Sequence, residues 1–341
     1  MIHPPIYKAI NENDLAKELK LAATDKDLAT KFWQPLTNYS VNLILSSNYS
    51  QAQNLLRQLL HKCKTIDPNS YSKIHKGNPY YFLGIASYLM NDIETGTFFI
   101  DSAASEDLRY GADAIKDPKP STLFLTLQGD NDHQFAKKLT QITESKVQRA
   151  LNLYNSLAGH RPDKSDLTIA NLRKKFLFPA LSTEMSPGWR TLATVFISFF
   201  VEWDSRNELL DLRVRPGTYE PYYIHLLKGC ILFESLLKNN PKYPKVQTKT
   251  KLDQLLEPLH SCLGISPKLK ISGKKLPTLL TSLSHLKPED ETRELAIQYT
   301  GFLRNTLGHD LGWKIRLEKI QYQRCFQFVV SSCLHTIACL Y

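Results

Sequence analysis

Glycine is scarce in this 341-residue chain, at 14 residues, which excludes collagen-like and glycine-rich low-complexity sequences. Paired cysteines are absent altogether. The six cysteines are Cys63, Cys230, Cys262, Cys325, Cys333 and Cys339, and none stands in a Cys-x-x-Cys pair. Five fall in the last third, mostly inside apolar helical runs, which is the usage of buried thiols and not of a disulfide framework or zinc site. A reducing cytosol suits them. The start, MIHPPIYKAINEND, lacks the apolar core of a secretory leader. The longest apolar run, TLATVFISFFVEW (191–203), falls short of the ~20 residues a membrane helix needs. A soluble cytoplasmic protein is therefore expected, with no membrane partner.

No HExxH, glycine-rich phosphate loop or GxSxG is present. His3, His61, His75, His133, His160, His225, His260, His285 and His335 lack metal-ligand spacing. No metal and no cofactor are expected. Strand-like alternation is also scarce, and no Asn-Gly or Asp-Gly hairpin turn joins alternating runs.

What is there is helical periodicity, so the expected class is all-α. One amphipathic helix is read over 13–32 and two more over 37–70, with a turn near Asn48–Ser50. In GNPYYFLGIASYLMNDIETGTFFIDSAASED (77–107), Gly84, Gly96 and Ala103 are spaced as in a tetratricopeptide repeat, which this unit resembles. Small residues there let two helices approach closely. A long helix is expected over 131–158, and another through Phe178 with Asp166 as its cap. Pro187 and Gly188 punctuate LSTEMSPGW, and the domain boundary is placed there: 1–185 as TPR-like helical hairpins, 186–341 as an up-and-down bundle. Bundle helices are read at 189–210, 219–240, 249–263, 288–307 and 315–340, with a basic loop at 264–277. Pro288 with Glu289, Asp290 and Glu291 suits the start of the fourth.

That fourth helix ends in GFLRNTLGHDLGW (301–313). Asn305 and His309 are four apart and share a helix face, where the amide can set the imidazole's orientation. Arg304 can reach the same phosphate with a group that never deprotonates. Cleavage of RNA by its own 2′-OH needs a base, an acid and a cation for the phosphorane. Histidine serves the first two roles near neutrality. The same residues also suit a plain helix end, with Asn305 and Gly308 as terminators and His309 at the negative end of the dipole.

RNTLGH matches the Arg-Asn/His/Asp-x-x-x-His signature of the HEPN superfamily, which residues 186–341 resemble. Requiring Arg-Asn-x-x-x-His leaves a chance expectation of roughly 0.02. The resemblance implies an α-helical, commonly dimeric, metal-independent endoribonuclease of toxin–antitoxin or antiphage-defence type, with two motif copies meeting in a homodimer. It implies that Arg304 and His309 are catalytic and that Asn305 assists them, with Asp310 in support. Glu234, inside the apolar face of HLLKGCILFESLLK (225–238), is placed to hold Arg304 or His309. An antitoxin or regulatory protein would bind the N-terminal helices. A non-catalytic dimerisation or RNA-binding module, or a nucleic-acid-binding regulator, is the alternative.

The net charge of +10 favours polyanions such as nucleic acid or anionic lipid. Lysines crowd 238–275: Lys238, Lys242, Lys245, Lys249, Lys251, Lys268, Lys270, Lys274 and Lys275. Lys268, Lys270, Lys274 and Lys275 are candidates for an RNA-binding wall, with Tyr243 to stack a base. Solvated loop lysines fit the same pattern. Arg206, Arg213 and Arg215 are read as helix-end charges or as a phosphate track.

Overall fold

The computed structural model describes residues 11–129, 134–159, 166–182, 187–211, 218–243, 251–263, 275–309 and 315–341. It is all-α. Among the described residues there is no β-strand, only the isolated bridges Asp113–Asp117 and Ala158–Thr292. Also among them, no helix is long and apolar enough to cross a membrane. The chain forms two compact units, Met1–Ile142 with Ala180–Thr194, and Thr143–Pro179 with Val195–Tyr341. This division does not fall at 185/186. The chain changes unit three times, at 142/143, 179/180 and 194/195.

The first unit holds α1 (Glu12–Ala22), α2 (Lys26–Leu45), α3 (Tyr49–Ile66), α4 (Pro68–Lys73), α5 (Gly77–Leu89), α6 (Ile93–Arg109), α7 (Pro120–Leu125) and the start of α8 (Gln134–Ser156). The single helix expected over 13–32 is two. Asp25 accepts from the Asp27 and Leu28 amides and starts α2, an N-cap that helical periodicity alone passes over. The α5–α6 hairpin depends on its small residues. A Cβ on Gly84 would lie 2.8 Å from Ile100 Cγ1, and one on Gly96 would lie 2.4 Å from the Tyr88 ring. Asn91 (φ 63°) and Asp92, which caps Thr95, close the turn between them. Beneath it, Asp107 joins His75 Nε2 (3.0 Å) to Ser121 Oγ (2.5 Å), and the His75 carbonyl accepts from Trp33 Nε1 at 2.8 Å. These bonds tie the segment before α5 to α2, α6 and α7 and give the His75, Asp107, Ser121 and Trp33 polar atoms partners.

The second unit continues α8 and adds α9 (Ile169–Leu172), a π-helical turn (Arg173–Leu177), α10 (Phe178–Ala180), α11 (Pro187–Asp211, from Val195), α12 (Glu220–Lys238), α13 (Leu252–Leu263), α14 (Leu276–Ser284), α15 (Arg293–His309) and α16 (Lys319–Leu340). Thr168, not Asp166, caps α9, accepting from the Asn171 amide at 3.1 Å. α14 is a helix not expected from the sequence: it takes Leu276 and Pro277 from the end of the basic loop and continues to Ser284. Pro288–Asp290 is a separate 3-10 turn. α15 begins only at Arg293, with Thr292 Oγ1 accepting from the Leu295 amide, so Glu294 is its first-turn acid.

α16 is the axis of this unit. Every residue from Phe328 to Leu340 is buried, as expected of a helix apolar nearly all round. α12 packs on it through Gly229, where a Cβ would lie 2.4 Å from Phe199 Cζ and 2.6 Å from Val329 Cγ1. α15 packs on it through Tyr299 against Phe328 and Thr300 Oγ1 to Ser332 Oγ at 2.9 Å. Arg293 anchors the start of α15. Its guanidinium donates to the Tyr154 carbonyl (2.9 Å) and the Gly159 carbonyl (3.0 Å), satisfying acceptors at the end of α8.

Candidate functional site

α12 and α15 bring Glu234 and Arg304 together. Glu234 sits on α12 among Leu232, Phe233, Leu236 and Leu237, all buried, and its side chain is 10% exposed. A carboxylate so enclosed must be paired. Arg304 Nε donates to Oε2 at 2.6 Å, and Lys238, one turn along α12, donates to Oε1 at 2.7 Å. Burial pushes the Glu234 carboxyl up, but the Arg304 and Lys238 hydrogen bonds and charges outweigh it. Its pKa lies below the ordinary carboxylate value.

One carboxylate facing two cations leaves a net positive charge at this point. Arg304 Nη1 also donates to Asn305 Oδ1 at 3.2 Å. The guanidinium is thus fixed from two sides, is 30% exposed, and keeps N–H donors at Nη1 and Nη2 for an anion. Asn305 is exposed. α15 stays helical through His309, so positions 305 and 309 are one turn apart on it. The His309 side chain lies outside the described residues, as do Asp310, Lys268, Lys270 and Lys274. Lys275 is exposed and immediately precedes α14.

The lysine-rich segment is less open than its composition suggested. Lys238 is engaged with Glu234, and Lys242 Nζ donates to the Cys339 carbonyl at the end of α16 at 2.6 Å. Tyr243 is 39% exposed. Lys245 and Lys249 lie outside the described residues. Arg206 is not at a helix end: it pairs with Glu202 one turn earlier on α11, at 3.1 Å. Arg213 and Arg215 lie outside the described residues. The part of Lys238 in the clamp was missed by sequence reasoning, although its spacing from Glu234 is that of an i,i+4 ion pair.

Beside α11, a second buried polar chain also went unread. Tyr322 Oη donates to His225 Nδ1 at 2.7 Å, and His225 Nε2 donates to the Phe199 carbonyl at 3.1 Å. The carbonyl can only accept, which fixes the proton on Nε2 and leaves Nδ1 to accept from tyrosine. Full burial brings the His225 pKa down to about 4, so the ring is neutral near pH 7. Glu202, with Lys228 and Arg206 on its two oxygens, balances the charge nearby. The five described cysteines are all buried and unbridged, and burial pushes Cys63 and Cys325 up to about 12. The Cys262 side chain lies outside the described residues.

Compared with known proteins, the chain matches no protein-family model, no curated protein and no solved structure.

Proposed function

We propose that this protein is a metal-independent endoribonuclease of HEPN type that acts through a composite site in a homodimer, in a toxin or antiphage-defence setting. The observation that carries the reading is the Glu234–Arg304–Asn305 arrangement: a partly exposed arginine, held by a buried carboxylate and by Asn305, which lies one turn before His309. Pre-positioning of a cation for a phosphorane lowers the reorganisation needed at the moment of reaction. The excess positive charge of the clamp favours an RNA phosphate over a neutral substrate. In this mechanism Arg304 stabilises the phosphorane charge. His309 takes the 2′-OH proton or returns one to the leaving 5′-oxygen, and the partner copy's motif supplies the second proton-transfer group.

The outer face of α12 supports the dimer. Ile224 and Ile231 are 44% and 52% exposed, seven residues apart on one helix face, with Lys228 and Lys238 beside them. A second copy seated on this stripe would lie next to the Arg304 clamp. The exposed Lys275 would add a sequence-independent attraction for RNA. The N-terminal unit would bind an antitoxin or another regulatory protein.

The test is cleavage of single-stranded RNA by the full chain in EDTA. The expected result is cleavage that leaves 2′,3′-cyclic phosphate ends. It should be lost in Arg304→Ala and His309→Ala while both variants keep the parent's helical circular dichroism. Cleavage at the parent's rate in both variants would overturn the site. RNA binding without cleavage by a stable dimer would replace the enzyme with an RNA-binding module, and a monomer at micromolar concentration would remove the composite site.

A further inference from the structure

On the side of α16 away from α15, the second unit contains a pocket of about 240 Å³. It is lined by α8, α11 and α16. Its wall is aromatic: Trp203 stacks on Phe326 with ring centroids 3.9 Å apart and planes 16° apart, and Phe200 meets Phe326 edge-on. Its polar lining has two parts. The first is internally satisfied. Lys146 pairs with Asp204 at 2.6 Å, and Gln323 Nε2 donates to Asn207 Oδ1 at 2.9 Å.

The second part is not satisfied by protein. Among the described residues, Arg149 has no ion pair, and neither the Gln327 amide nor Ser331 Oγ has a hydrogen-bond partner. Ser331 is only 6% exposed. The Ser331 hydroxyl is not itself sealed off: it faces the pocket, where water or a ligand can meet it.

We propose that this pocket binds a nucleoside monophosphate. The volume is below the roughly 300–1,000 Å³ of pockets that enclose drug-sized ligands, so the pocket encloses the base, and the ribose phosphate lies toward solvent, where Arg149 is exposed. The aromatic wall calls for a planar ring. Gln327 offers both a donor and an acceptor, and the Gln323–Asn207 bond still leaves Gln323 Oε1 to accept and Asn207 Nδ2 to donate, which matches a nucleobase edge better than a hydrocarbon ring. Lys146 is neutralised by Asp204, so one net cation, Arg149, remains at the pocket. That suits a single phosphate and not a triphosphate, and the planar guanidinium can bond it bidentately. The inference is independent of the ribonuclease reading, because the pocket shares no residue with the Arg304 clamp.

Isothermal titration calorimetry of the full chain with AMP, GMP, CMP and UMP, and with the matching nucleosides, tests this. At least one monophosphate should bind, about tenfold tighter than its nucleoside, the size of one charge-assisted contact. Arg149→Ala should reduce the nucleotide to nucleoside affinity and leave the nucleoside unchanged. Ser331→Ala, which removes only a hydroxyl, should weaken both. Arg304→Ala should change neither. Absence of binding up to about 10 mM would overturn the proposal. So would equal affinity in the parent and Arg149→Ala, loss of binding in Arg304→Ala, or binding of benzoate but of no nucleotide.

Discussion

Arg304 Nε donates to Glu234 Oε2 at 2.6 Å, and this bond links the last turns of α15 to those of α12 across 70 residues of sequence. Glu234→Gln keeps the shape and removes the charge both cations face. Because both cations still reach solvent, the expected cost is about 1–2 kcal/mol, less than for a fully enclosed pair. The folded pKa of Glu234 lies below its ordinary value of 4.5. The contribution of the pair is therefore complete above that value and is lost as pH falls through the lower folded value. Urea midpoints of parent and Glu234→Gln at pH 7 and in steps below pH 4.5 should converge on acidification. A constant gap would show that the charge is not the source.

His225 has the opposite chemistry and a different window. Buried and neutral, it takes up a proton in the folded chain only near pH 4, whereas the unfolded chain does so near 6.5. Between those values the unfolded state binds more protons, so stability falls as pH drops from about 6.5 to about 4 and levels off below. His225→Gln cannot titrate, and its urea midpoint should be flatter across this interval. An unchanged slope would assign the pH dependence to other groups.

Two glycines in the same unit should respond with opposite sign to alanine. Gly229 lies against Phe199 and Val329, where a methyl group meets ring and side-chain atoms at 2.4 and 2.6 Å. Gly229→Ala should destabilise by about 1–3 kcal/mol through overpacking. A methyl group on Gly308 meets nothing within 4 Å among the described residues, and Gly308 lies within α15. Gly308→Ala should stabilise by about 0.4–1 kcal/mol, because alanine loses less backbone entropy in a helix. Thermal melts of the two variants distinguish the cases.

In the first unit, Asp107 is the shared acceptor of His75 and Ser121 and is 5% exposed. Asp107→Ala leaves both partners buried, with an expected cost of about 2–4 kcal/mol. Hydrogen exchange should show the loss first in the segments around His75 and Ser121. Loss confined to α8 or beyond would show that the network does not hold this unit.

Helix type was legible along the chain because apolar spacing sets it locally. α3, α8, α12 and α16 fall close to the ranges read from periodicity. The misses have local causes that periodicity cannot register. A capping aspartate split the first helix, and α14 formed from the end of the basic loop and the unassigned residues after it. At the candidate site, the order Arg304-Asn305 and the i,i+4 placement of Asn305 and His309 were plain in the sequence. That Lys238 would share Glu234 with Arg304 was readable only as far as its helical spacing.

The sequence by itself determined that this is an all-α chain, because its helical apolar stripes are long and strand alternation is scarce. It also determined which residues could meet on one helix. Tertiary structure alone decided where the compact units divide, since the chain changes unit inside α8 and α11. It alone decided that Glu234 takes Arg304, that His225 is neutral between Tyr322 and a carbonyl, and that Trp203, Arg149 and Ser331 line one pocket. Those outcomes depend on which helices pack on α16 and at what separation, and burial then sets the charge state of each group. Spacing along one helix carries no information about either.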